Sequence, residues 1–182
     1  MKKSLFIFLV LAFFVACVGG RMEQIGKDYD FNKTTNESIV FGKIDIKENI
    51  IGFSTLNQFS IYRKDTSTKN FVNFSRDEYF FIPLEPGEYE IEDVNCGFGL
   101  SGAMGMMTHK IPVHLSFSVG ANEIIYIGKI FVKYKATGNG PVEEHAIIIS
   151  DEYDMAVKEF RKLYPTINNP TINKDIKKNI AM

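Results

Sequence analysis

Apolar and polar positions divide the chain into an unbroken apolar run, a polar stretch, a long region of alternation and one helical stripe. The run is Leu5–Ala16, free of charge and proline, directly after Met1-Lys2-Lys3 and Ser4. From Val18 to Glu37, glycine, asparagine, threonine and charged residues show no sustained period, which predicts a flexible tether over 17–37. From Ser38 the period becomes two. Ile39–Ile46, Gln58–Lys64, Phe71–Phe74 and Glu78–Leu84 read as strands. Next, Glu88, Glu90 and Glu92 alternate with Tyr89 and Ile91, giving one wet and one buried face. The strictest alternation sets Ile111, Val113, Leu115, Phe117 and Val119 against Pro112, His114, Ser116 and Ser118. Gly120-Ala121-Asn122 turns into Glu123–Lys135, a long strand in which Gly128 suits a bulge, and His145–Ile149 is the last strand. About eight strands at this spacing predict a mainly β chain with a β-sandwich over 38–150.

The period then changes to that of a helix. Tyr153, Ala156, Val157, Phe160, Leu163 and Tyr164 recur on one stripe, predicting an amphipathic C-terminal helix over 151–165. Ser150 or Asp151 can cap its start, Arg161 and Lys162 complement its end, and Pro165 stops it. Such a stripe is expected to pack on the sandwich or cover an open edge. The Asn- and Lys-rich tail, 166–182, is expected to be loose.

Pro86-Gly87 suits a type II turn, with proline presetting the first central φ and glycine supplying a positive second one. The segment Leu84–Val94 resembles the Pro-Gly-x-Tyr hairpin of small immunoglobulin-like and prealbumin-like sandwiches in bacterial envelope proteins. That resemblance covers about a dozen residues and implies a fold class, with no activity attached.

The N-terminal run carries the second resemblance. A basic start and an apolar segment of this length have the layout of a secretory signal peptide over 1–16. Spanning a bilayer takes about 20 apolar residues, more than this run supplies. Phe14-Val15-Ala16-Cys17 resembles a bacterial lipobox, with Phe14 where leucine is usual. The resemblance implies cleavage before Cys17, a diacylglyceryl thioether on its sulfur and, in many bacteria, a further acyl chain on its new amino group. Two or more chains anchor stably where one does not. It also implies a location in the cell membrane or outer membrane. Val18 stands where an inner-membrane lipoprotein commonly carries Asp, which favours the outer membrane where there is one.

Charge and thiols narrow the partners. The net charge is −1, and losing Lys2 and Lys3 with the signal takes it to −3, so no footprint for nucleic acid appears. With Cys17 acylated, Cys96 has no intramolecular disulfide partner, and its expected place is the core.

Candidate chemistry gathers between Cys96 and His114. Gly97-x-Gly99-x-x-Gly102 spells a dinucleotide loop, but a strand rather than a helix follows, so no nucleotide site is expected. Cys96, Met104, Met106, Met107, His109 and His114 are soft or imidazole ligands within one short stretch, a donor set suited to Cu(I). Gly97–Met107 has no charge, which makes Phe98, Leu100, Met104, Met106 and Met107 a candidate contact loop that packs on its own domain, meets a protein partner or dips into lipid. Hydrolase signals are poor. Ser101 lacks the nucleophile-elbow spacing, and His109, His114 and His145 form no metal pair, although His145 follows Glu143-Glu144. The expected function is therefore a non-catalytic envelope interaction or structural module, bound to membrane lipid through Cys17, with an envelope protein as partner and no cofactor. Periplasmic copper binding is the first alternative and an unrecognised hydrolase the second.

Overall fold

The computed structural model describes residues 20–31, 36–48, 54–66, 68–98, 107–136, 141–167 and 170–176. Among them the chain is mainly β, with ten strands in two sheets and one helix: β1 (Gly20–Met22), β2 (Ser38–Glu48), β3 (Ser54–Arg63), β4 (Lys69–Asn73), β5 (Tyr79–Leu84), β6 (Gly87–Phe98), β7 (Met107–Val119), β8 (Ile124–Ala136), β9 (Val142–Ser150), α1 (Tyr153–Leu163) and β10 (Ile172–Lys174). Sheet I runs β1-β4-β3-β6-β7. In sheet II, β5 pairs β2, β2 pairs β8, and both β9 and β10 pair β8.

The two sheets share one apolar core. Phe59, Ile61, Ile91, Val94, Ile111, Leu115 and Phe117 from sheet I meet Val40, Ile44, Phe80, Ile82, Ile127 and Val132 from sheet II. Phe59 and Phe80 join the sheets with ring centroids 4.9 Å apart. The alternation along β7 holds as expected, with Ile111, Val113, Leu115, Phe117 and Val119 all buried.

A second core lies on the outer face of sheet II. There α1 lays Ala156 and Phe160 over Ile39, Phe41, Phe81, Ile124 and Tyr126, so the first halves of β2 and β8 are buried on both faces. Burying Phe160 fully is worth about 2–3 kcal/mol, and its ring packs 5.3 Å from that of Phe41. Asp151 accepts the Tyr153 N–H at 3.0 Å at the start of α1, and the Glu152 N–H donates to the buried Tyr126 hydroxyl at 3.2 Å. Ser38 pins the β7–β8 turn to β2: its hydroxyl donates to the Gly120 carbonyl at 2.7 Å and accepts the Glu123 N–H at 2.8 Å.

Gly128 forms the expected bulge. It has φ +104°, and between Phe41 and Lys43 the β2–β8 register slips by one residue. A Cβ on Gly128 would stand 2.9 Å from Ile149 Cγ2.

Four expectations need correction. The tether expected over 17–37 is docked from residue 20 to residue 31: β1 pairs in parallel with β4, and Ile25, Tyr29 and Phe31 pack against the α1 core. Gln24 bridges the sheets, donating to the Asn73 carbonyl at 2.8 Å and accepting the Phe81 N–H at 3.1 Å. The tail is likewise held in part, since β10 pairs with β8 and the Tyr153 hydroxyl donates to the Ile172 carbonyl at 2.6 Å. These two short strands raise the count from about eight to ten. Finally, Pro86-Gly87 makes no hairpin. β5 and β6 belong to different sheets, and Gly87 lacks a positive φ and begins β6 opposite Val119. The chain turns a corner between sheets there, and the Tyr89 hydroxyl donates back to the Glu85 carbonyl at 2.9 Å to hold it.

Candidate functional site

The candidate ligands divide between two faces of sheet I. Cys96 on β6 and His109 on β7 are direct cross-strand partners, 0 % and 5 % exposed. His109 lies beside Tyr134 of β8, with ring centroids 5.7 Å apart. Phe98 and Met107 pair further along the same ladder, at the last residue of β6 and the first of β7. His114 is not with them. It is exposed on the opposite face, at φ +52°, with Nδ1 2.9 Å from Glu90 Oε1. Leu100, Met104, Met106 and Cys17 lie outside the described residues. Among the described residues, no group of three or more His, Cys, Asp or Glu side chains is placed to hold a metal.

The outer face of sheet I carries a polar network that strand alternation did not predict. It originates in a bulge. Between Ile91 and Asp93, β6 has one more residue than β3, so Glu92 and Asp93 both turn outward. Opposite, β7 sets Val113 and His114 against Glu92 alone, and the left-handed backbone of His114 absorbs the mismatch. Asp93 is 1 % exposed. Lys110 approaches its Oδ2 at 3.0 Å and Lys69 at 3.2 Å, while Asn95 donates to Oδ1 at 2.7 Å. Lys69 also bonds Glu92. Burial alone would raise the Asp93 carboxyl, but the bond from Lys110 and the charge of Lys69 outweigh it and hold it below the usual carboxylate range.

Glu90 forms the second node. His114 meets Oε1, and the Ser116 hydroxyl donates to Oε2 at 3.2 Å while accepting Lys64 Nζ at 2.9 Å. Burial would raise this carboxyl too, yet its bonds to His114, Tyr62 and Ser116 lower it. A serine, a histidine and a carboxylate thus stand together without the order that nucleophilic catalysis needs. His114 and Ser116 share one carboxylate, and the described histidine nitrogen bonds the glutamate rather than the serine. The network neutralises itself across four strands and ties them together. The sequence signal was the doublet Glu92-Asp93, two successive acids in an otherwise alternating strand.

Other hollows are open. A broad groove of about 970 Å³ runs beside α1, lined by Lys43, Asp77, Tyr79, Met155, Glu159 and Lys162, with Lys43 and Asp77 paired at 2.8 Å. His145 is exposed on β9 in a shallow depression with Glu144 and Lys133. Among the described residues, no helix is long and apolar enough to cross a membrane. No protein-family model, curated protein or solved structure matches the chain.

Proposed function

We propose that the chain is a lipid-anchored bacterial envelope protein whose two-sheet domain is a non-catalytic interaction or structural module. The observation that carries this reading is Phe14-Val15-Ala16-Cys17 at the end of a basic-then-apolar leader. The described fold is compatible with it, because β1 begins at Gly20, three residues after Cys17. Val18 favours the outer membrane where two membranes exist. The immunoglobulin-like or prealbumin-like assignment draws support from the Tyr89–Glu85 corner, where the chain passes from one sheet to the other. The self-neutralising network on sheet I supports a scaffold rather than a reaction centre.

Mass spectrometry of detergent-extracted protein tests the proposal. The expected N-terminal residue is Cys17 carrying a diacylglyceryl group. An unmodified Cys17, or a chain beginning elsewhere, overturns it.

A second reading, Cu(I) binding, draws on the buried Cys96–His109 pair at the end of β6 and β7. It expects Cu(I) affinity that falls when Met104, Met106 and Met107 are replaced together. Affinity that is absent or unchanged removes this reading.

A further inference from the structure

We propose that the domain stands on the membrane by its β3–β4 end, with the end of the sheet where β6 finishes and β7 begins held away from the lipid. This orientation rests on the acylation of Cys17 and adds the surface that faces the bilayer. Only Val18 and Gly19 separate Cys17 from Gly20, and three steps of at most about 3.6 Å each keep the lipidated residue within about 11 Å of the start of β1.

Gly20 pairs with Asn70, so β1 starts beside the start of β4 and the connection that leads into it from β3. The following residues cannot pay out as a longer leash without breaking the fold. Gln24 bonds both sheets, the Ile25 N–H donates to the Phe81 carbonyl at 3.0 Å, and the Tyr164 hydroxyl donates to the Ile25 carbonyl at 3.1 Å.

Tyr89 near the start of β6 pairs with Arg63 at the end of β3, which places the start of β6 at the anchored end. β6 then runs twelve residues to Phe98, which pairs with Met107. Eleven steps of about 3.3 Å span about 36 Å, so Phe98 and Met107 lie far from the anchor.

At the anchored end, Arg63 is already held by Asp65 and Glu85, each at 2.9 Å. Geometry, rather than attraction to anionic lipid, sets the orientation.

The test uses full-length lipidated protein in phosphatidylcholine vesicles carrying a headgroup quencher. Fluorophores are placed on Thr68→Cys, exposed immediately before β4, or on Thr108→Cys, exposed at the start of β7. Cys96 is fully buried and stays unlabelled in the folded protein. The expected result is quenching at position 68 several-fold stronger than at 108, with a ratio unchanged by added phosphatidylglycerol. Equal quenching, stronger quenching at 108, or a ratio that follows the anionic lipid overturns the orientation. Flotation of the same samples reads the anchor separately: protein that fails to float overturns the acylation reading and the orientation with it, whereas flotation with equal quenching overturns the orientation alone.

Discussion

One extra residue in β6 turns Glu92 and Asp93 to the same face and buries a carboxylate between Lys69 and Lys110. The arrangement sets a pH dependence. The folded Asp93 carboxyl titrates below its ordinary value, so its contribution is complete above about pH 4 and is lost as pH falls through the lower folded value. Asp93→Asn should cost about 1–3 kcal/mol at pH 7 by urea denaturation, and the gap from the parent protein should close toward pH 2. A gap that stays constant across that range would refute the assignment. Gly128 is the other residue whose identity is forced. Gly128→Ala meets both a positive φ and the Ile149 methyl, and a loss of about 1–3 kcal/mol is expected in thermal melts. The glycine could be read from an otherwise continuous strand. The buried carboxylate could not, because the Glu92-Asp93 doublet has the same composition as an exposed acidic strand, and only register tells them apart.

Strands were legible wherever alternation spans five or more residues, as in β7, because a half-buried sheet imposes that period on its sequence. β1 and β10 escaped notice for a physical reason. Each is three residues long and owes its conformation to the strand beside it, β4 for one and β8 for the other. The helix was legible from its stripe, and what it covers was marked as well: contiguous apolar runs such as Ile124–Ile127 show where a sheet is buried on both faces. Pro86-Gly87 has the composition of a hairpin turn yet joins strands of different sheets, because local turn chemistry does not determine whether the flanking strands pair with each other. Two variants test these elements. Phe160→Ala should lose about 3–5 kcal/mol by emptying the core between α1 and sheet II; a loss under 1 kcal/mol would mean that α1 is not docked there (roughly the cost of a surface change). Gln24→Ala removes the side chain that joins Asn73 to Phe81 and should cost about 1 kcal/mol, with faster amide exchange at Phe81. Unaltered exchange would show that the strap is loose.

At the scale of the whole molecule, the two ends of the domain differ in character. The β3–β4 end holds charged residues paired with one another and lies three residues from Cys17. The far end joins β6 to β7 through an uncharged sequence and carries the buried Cys96–His109 pair just inside it. Six candidate copper ligands formed one cluster in the sequence; the fold keeps Cys96 and His109 together and sends His114 to the opposite face. The alternation of β7 already set His114 on the face opposite Val113 and Leu115, whereas the pairing of Cys96 with His109 depends on the β6–β7 register, which linear spacing does not reveal. The membrane anchor proposed for the domain resides in Cys17. Metabolic fatty-acid labelling of the parent protein and of Cys17→Ala, followed by membrane fractionation, measures it directly. The parent should label and sediment with membranes, while Cys17→Ala should lose the label and leave the membrane fraction. Labelling that persists in Cys17→Ala would contradict the account.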